Sequence, residues 1–574
     1  MLTDKPKARQ SQLVTTYGVG ALFPAGDQSF MVCGIDEWDP KWSAPIEEPR
    51  LAGSLGVRVF RSPPTGRRSG DVPVVRFPTY HYCPECRRLA PFWQFDSTRM
   101  RCAACERDLT PSRFVACCEN GHIEDFPYFN WVHRGSATGA GGEHILRLRS
   151  SGASSSLADV VIECSCGVPP YNMDGSFARF ALREIKRCAG KRPWLPGAPD
   201  EMCDKPLRVL QRGSSNVWFS RVRSAISIPP WSSPDAKFVT KHWDVLQHLA
   251  EPALSQVLES LLAAASPAAG LSLDGLLRVI GQRSGLSQRA EATDEELRHE
   301  EYRALVDGHE GGPLDSFRAE RVDVDVRVRP LVAQVSKVTR LREVRALEGF
   351  TRVTAAATET ASPQMARLSQ EPMDWLPATE VIGEGIFIQF QESAIAAWEV
   401  SQLATERQSK IAEAFALRAV EYGDDPDGAP SARFLGIHAL AHALLVELSL
   451  DAGYPVGSLR ERIYAGPGQA GMLIYTASSD AAGSLGGLAA LADAGALASS
   501  LIGATSRCSW CSNDPVCAES GPSGTDGLNL AACHACLLLP ETSCEHRNIY
   551  LDRVGLIGAD GGDREGLLAF VREG

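Results

Sequence analysis

Residues 508–544 read CSWCSNDPVCAESGPSGTDGLNLAACHACLLLPETSC and hold six cysteines, Cys508, Cys511, Cys517, Cys533, Cys536 and Cys544. That density admits a disulfide framework, a redox couple, an iron–sulfur cluster or a metal site. The N-terminus, MLTDKPKARQ, is charged and lacks an apolar core, so no export signal is expected and the thiols are expected to be reduced in a cytoplasmic setting. Thiolate–metal ligation then fits best. Zinc is favoured over iron–sulfur because no CxxCxxC run is present. The two pairs Cys508/Cys511 and Cys533/Cys536 form the simplest quartet, leaving Cys517 and Cys544 as further candidate ligands.

The rest of the chain has the same kind of pattern at its other end. Of 17 cysteines in 574 residues, eleven lie within 33–203 and none between Cys203 and Cys508. Cys83-x2-Cys86 and Cys102-x2-Cys105 have zinc-ribbon spacing, in which two turns each present a pair of sulfurs to one ion. Four ligands close that site and make it structural. A second set is irregularly spaced: Cys164, Cys166, Cys188 and Cys203 form the first-choice site, with Cys118 and His122 of CCENGH as alternative contributors. Two or three zinc sites are expected in all.

Between these ends the pattern is mixed α/β. Residues 1–80 read as short strands, and 241–310 as at least two helices separated by a Pro/Gly break. Strict alternation from RVDVDVRVRP onward predicts a strand in 321–354, followed by a linker at TAAATETASPQ. EGIFIQF and GMLIYTA read as strands, and RFLGIHALAHALLVELSLDAGY as a helix. SSDAAGSLGG reads as a tight turn before a helix, with anion binding the less favoured alternative. The following apolar run is broken by Asp493 and is not expected to cross a membrane. These elements suggest a zinc-ribbon-like N-terminal part over 1–240, a helical middle over 241–320 and an α/β C-terminal domain over 321–574 with a Cys-rich zinc module.

Catalytic signatures are sparse. No GxxxxGK[ST] loop occurs, so ATP hydrolysis of the P-loop kind is not expected, and there is no GxSxG elbow. His438 and His442 in HALAH lie one helical turn apart, but Ala439 stands where a zincin carries its glutamate. Core histidines are the simpler reading. The alternative is a metal-dependent hydrolase or nuclease that adds an acid such as Glu447. With a net charge of −12, the chain is not a globally basic nucleic-acid binder. Residues 205–224 are nevertheless locally basic: Lys205, Arg208, Arg212, Arg221 and Arg223 flank Trp218 and Phe219, a mixture suited to phosphate contact and base stacking. A second basic segment, 318–352, has nine basic residues against five acidic and includes Arg340, Arg342 and Arg345.

Taken together, RQSQLVTTYGVGALF, CCENGHIEDFPYFNWVH, LQRGSSNVWFSRVRSAISIPP, LREVRALEGFTRV, GEGIFIQF, MLIYTASSDAAGSLGGL and AACHACLLLPETSCEHRNIYLDR make the chain resemble, nearly end to end, the DrmB-type component of the DISARM anti-phage defence system. Its end resembles a helicase-associated zinc-binding domain of unknown function, in which a CxxC-x5-C run precedes a closing Leu-Asp-Lys. Here Cys508, Cys511 and Cys517 fit that run, while AACHACLLLPETSC is additional before Leu551-Asp552-Arg553. The departure leaves Cys517 and Cys533 competing for one ligand position. The resemblance implies a partner, the superfamily-two helicase of the same system, which would supply ATP turnover; with the two basic segments, it leads to the expectation that this chain helps that helicase bind single-stranded or junction DNA. A pure protein scaffold is the remaining alternative.

Overall fold

The computed structural model describes residues 7–569 except 67–70, 96–99, 136–143, 151–155, 267–268, 289–292, 356–364, 423–424, 477–485, 525–526 and 559–565. The expected linker at TAAATETASPQ and the Gly-rich SSDAAGSLGG turn fall almost wholly outside the described residues. Two compact units are present, each discontinuous in sequence. The first comprises Met1–Ile46, Val57–Arg223 and Arg345–Thr379; the second comprises Glu47–Gly56, Ser224–Val344 and Glu380–Gly574. The boundaries suggested at 240 and 320 both fall inside the second unit. The mixed α/β character, with cysteine-rich groups towards both ends of the chain, is as the sequence indicated.

Short strands dominate the first unit. One antiparallel sheet joins Leu22–Ala25, Gln28–Val32 and Val74–Arg76. A six-stranded sheet has the order Tyr171–Asn172, Val160–Cys164, Leu146–Ser150, Arg88–Pro91, Tyr80–Tyr82 and Thr110–Pro111. A third sheet places Phe114–Cys117 between Ile123–Asp125 and Arg208–Gln211. Strands of two to five residues bury little apolar area each, so the sheets need clamps.

One clamp is Arg352, which is fully buried. Its guanidinium donates to the carbonyls of Gly121 at 2.8 Å, Val217 at 2.6 Å and Gly20 at 2.8 Å. Burial lowers its pKa to about 10, still a cation at neutral pH. The Trp194 and Phe350 rings lie over it at 5.2 and 4.7 Å. One side chain thus ties YGVGALF, CCENGH, NVWF and GFTRV together. Gly20 sits at φ +78°, and a Cβ there would lie 2.4 Å from the Phe350 ring, so both backbone and space require glycine.

The second unit is built around the Ala432–Ala452 helix. Ser431 caps its start, accepting from the Phe434 amide, and Gly453 ends it at φ 71°. The run is rich in Ala and Leu and favours helix, and its middle turns, residues 435–445, are buried all round, the pattern of a helix enclosed by protein. By length and composition it is apolar enough to cross a membrane, but 72% of its most apolar window is buried inside the protein, as in a core helix. It packs with the Leu459–Tyr464 and Gly471–Thr476 strands and the Ala494–Cys508 helix in one apolar core. Gly471–Thr476 pairs antiparallel with Leu459–Tyr464 on one side and with Gly385–Gln389 on the other.

The alternating stretch at 321 departs from expectation. Its strand stops at Val322, and the next begins at Val332. Between them Asp325 accepts from the Arg327 amide at 2.9 Å and from its guanidinium at 2.8 Å, closing a turn. Val328 and Leu331 insert into the core from that turn. The period-two pattern here falls on a capped turn: Val328 is buried and Val324 packs against the core, whereas Val326 is exposed.

Candidate metal centres

Five groups of four donor side chains have their ligand atoms within 4.8 Å of one another among the described residues. Four of the groups contain at least two cysteines. A tetrahedral zinc with about 2.3 Å bonds sets its sulfurs about 3.8 Å apart. The Sγ–Sγ separations are 3.8 Å for Cys86–Cys102, Cys118–Cys203 and Cys517–Cys536, 3.7 Å for Cys533–Cys536 and 3.5 Å for Cys511–Cys533. None of the 17 cysteines is in a disulfide.

Cys83, Cys86, Cys102 and Cys105 come together as the ribbon spacing predicts. Cys83 follows the Tyr80–Tyr82 strand, and the turn after it closes with Arg87 donating its amide to the Cys83 carbonyl at 3.0 Å. Arg87 and Glu106, one residue past the second cysteine of each pair, take φ 63° and 53°. Burial opposes the Cys102 thiolate, but the Ala104 and Cys105 amides and the neighbouring thiols outweigh it and lower its pKa. Cys105 is pushed up to about 12, first by its hydrogen bond to Cys86. Four thiols this close ionise together only around a cation, so the donor set fits zinc.

The irregular set divides in two. Cys118, His122, Cys188 and Cys203 form one group; His133, His144, Cys164 and Cys166 form another. The first-choice quartet of Cys164, Cys166, Cys188 and Cys203 is therefore corrected: the antiparallel pairing of Leu146 with Cys164 holds Cys164 and Cys166 beside His144, on a different sheet from the Phe114–Cys117 strand that Cys118 follows. His122 Nδ1 faces Cys118 Sγ at 3.3 Å and Cys188 Sγ at 3.6 Å, while its Nε2–H donates to Glu201 at 2.8 Å. Arg192 in turn holds Glu201 at 2.6 Å. Such a carboxylate fixes the tautomer of a ligating histidine. The Cys188 thiol is drawn down to about 4, chiefly by its hydrogen bond with Cys118, which is itself pushed up. Gly190, at φ +67°, lets the chain pass Glu201, whose carbonyl oxygen would lie 1.8 Å from a Cβ; its amide donates to Cys188 Sγ at 3.4 Å. In the other group the Nδ1–H of His133 donates to the Phe129 carbonyl at 2.7 Å, leaving Nε2 toward Cys166 at 3.3 Å. His144 Nδ1 lies 3.3 Å from Cys164 Sγ. Neither histidine was recognisable from cysteine spacing.

At the C-terminal end the group is Cys511, Cys517, Cys533 and Cys536. Cys517 replaces Cys508 in the expected quartet, and both competitors for the open position, Cys517 and Cys533, are included. Cys508 is still helical, the last residue of Ala494–Cys508, and its side chain belongs to the apolar core. Its sulfur does not converge with those of Cys511, Cys517, Cys533 and Cys536, so the Cys508-x2-Cys511 pair does not share a site as the spacing suggested. Asp514 organises the turn, accepting from the Cys511 amide at 2.9 Å and from Arg553 at 2.5 Å. Asp552, next to Arg553 in the chain, pairs in bidentate fashion with Arg407 at 2.7 and 2.6 Å, so both charged residues of Leu551-Asp552-Arg553 are held by ion pairs.

Cys544 joins a different group, with His438, His442 and Glu461. His438 Nε2 lies 3.0 Å from Glu461 Oε1 and 3.3 Å from Cys544 Sγ; His442 Nε2 lies 3.4 Å from the same Glu461 oxygen. Burial lowers the His438 pKa to about 4 against the pull of Glu461. Glu447, the acid named with the hydrolase alternative, is not part of this group; it pairs with Arg507. Glu461 carries no motif signal, since it comes from a separate strand, about twenty residues after His442.

None of the ten candidate nucleic-acid residues is fully exposed. Trp218 donates from Nε1 to the Val19 carbonyl at 3.0 Å and packs near Phe350, so its ring serves the core. Arg221 pairs with Glu348 at 3.2 Å. Arg342 pairs with Glu380 at 2.8 Å, Arg340 donates to the Pro313 carbonyl at 3.1 Å, and Arg345 is buried. Lys205, Arg208, Arg212, Phe219 and Arg223 are half-buried, and burial lowers the Arg212 pKa.

Comparison with known proteins agrees with this donor chemistry. Residues 440–537 match the MrfA Zn-binding domain, and residues 9–219 match a domain of unknown function, DUF8724. The chain is thus a multi-centre zinc-binding protein, with a zinc-binding domain towards its C-terminus. It is 32% identical over 553 residues, 92% of its own length and 97% of the relative's, to the DISARM protein DrmB of Bacillus paralicheniformis. The chain belongs to the DrmB family of DISARM proteins.

Proposed function

We propose that this chain is a non-catalytic, zinc-stapled accessory subunit of the superfamily-two helicase of its DISARM system, acting in the cytoplasm to help that motor hold foreign DNA. The observation that carries this reading is the closure of the donor groups. Each supplies four protein ligands, which fills a tetrahedral zinc and leaves no position for a substrate. The absence of a P-loop motif from the sequence agrees with an accessory subunit whose partner supplies ATP turnover. Lys205, Arg208 and Arg212 are the DNA contacts this reading favours, because Trp218, Arg221 and Arg342 are committed to partners within the protein.

The test is co-purification with the helicase, followed by filter binding of single-stranded and forked DNA to each protein alone and to the complex. The reading expects tighter, steeply salt-dependent binding by the complex. It expects ATPase activity only when the helicase is present. ATP turnover by this chain alone would end the accessory-subunit reading. Unchanged DNA affinity would favour a scaffold that contacts protein only.

A further inference from the structure

We propose that His438, His442, Glu461 and Cys544 hold a divalent zinc ion as a purely structural staple. The matched zinc-binding domain begins after His438 and ends before Cys544, so it assigns no such site. The four donors come from three separate places: the Ala432–Ala452 helix, the Leu459–Tyr464 strand and the loop that follows Glu541–Ser543.

Three observations carry the assignment. The first is unmet acceptors. The His442 Nδ1–H donates to the Leu537 carbonyl at 2.8 Å, so its Nε2 lone pair is aimed at Glu461 Oε1, 3.4 Å away. Two acceptors facing each other repel unless a proton or a metal ion lies between them, and a metal ion satisfies both at once without charging a buried imidazole. Among the described residues, neither His442 Nε2 nor either Glu461 oxygen has a hydrogen-bond donor, although both residues are fully buried. The second is geometry. Zinc bonds of about 2.0–2.3 Å place a tetrahedron's N, O and S donors about 3.3–3.6 Å apart, and the measured edges are 3.0, 3.3 and 3.4 Å. The Cys544 sulfur also accepts the His546 and Asn548 amides at 3.3 Å each, the pattern that supports a thiolate.

The third is charge. Two neutral imidazoles, one carboxylate and one thiolate exactly offset a divalent ion, so the assembled site is neutral. A neutral site is the one that can be enclosed in an apolar core without a counter-ion. The four-cysteine groups, which would carry two net negative charges, each keep two cysteines part-exposed.

This assignment is independent of the helicase reading, because it concerns ligation alone. The test is zinc content, by elemental analysis, of the folded full-length chain and of Glu461→Gln and Cys544→Ser. Each variant is expected to lose one zinc per chain while the other groups keep theirs. A folded variant with undiminished zinc would overturn the proposal. Should both variants fail to fold, anomalous difference density at the zinc edge in crystals of the wild-type protein decides. A peak between the four donors supports the site, and its absence from a crystal with zinc in the cysteine groups overturns it.

Discussion

The Cys83–Cys105 ribbon and the His438–Cys544 group reach four-fold donor convergence by opposite routes. The ribbon takes its ligands from 23 consecutive residues on two turns, and its core is little more than Leu109 and the cysteines themselves. The other group draws on 107 residues and sits within a large apolar core formed before any ion is considered. In the ribbon, ligation must supply most of the folding free energy. In the second unit, packing positions the ligands, and the ion relieves buried acceptors that packing alone leaves unmet. Local spacing therefore reveals the first kind of site, and only tertiary structure reveals the second.

The largest effect that sharpens this contrast is loss of a ribbon ligand. Cys102→Ser should forfeit a ligation free energy on the order of 10 kcal/mol and unfold residues 80–111, while the second unit stays ordered. Hydrogen exchange resolved by peptide would show the loss confined to that segment. Exchange spreading into Ala432–Ala452 would break the contrast.

Arg462 lies next to Glu461 on a strand whose side chains alternate, so it faces away from the His438 group. There it binds Glu301 at 2.7 Å and Glu545 at 3.4 Å, fully buried. Arg462→Met should cost about 3–5 kcal/mol by leaving buried carboxylates uncompensated, without loss of zinc. Denaturant unfolding with parallel zinc analysis checks both parts. A similar separation applies to the scaffold helix: Leu445→Ala should cost about 2–5 kcal/mol as a cavity, with zinc retained.

The smallest effect separates two cysteines that spacing made equivalent. Cys517→Ala should release one zinc per chain, whereas Cys508→Ala should leave the zinc content unchanged and cost about 1 kcal/mol in core packing. Equal zinc loss from the two variants would restore Cys508 to the ligand set.

Much of the fold class was readable in the residues. Apolar spacing marked the HALAH helix, the strands at EGIFIQF and GMLIYTA, and the cysteine-rich character of both ends. What sequence could not show was which donors meet. Spacing considers cysteines and so groups Cys164 and Cys166 with Cys188 and Cys203, yet strand pairing places them with His133 and His144. Cys508 was taken as half of a knuckle because a CxxC spacing does not reveal that its first residue is helical. Glu461 was invisible because a lone acid in LRERIY looks like a solvated face until the strand is seen to be buried. Trp218 looked like a stacking platform until Phe350 and the Val19 carbonyl accounted for it.

The claim that metal organises this chain is tested most directly by counting zinc in purified, natively folded protein and then removing it with a strong chelator. The account predicts five zinc ions per chain and loss of the cooperative melting transition as they leave. A metal-free chain that keeps its native melting transition would contradict it.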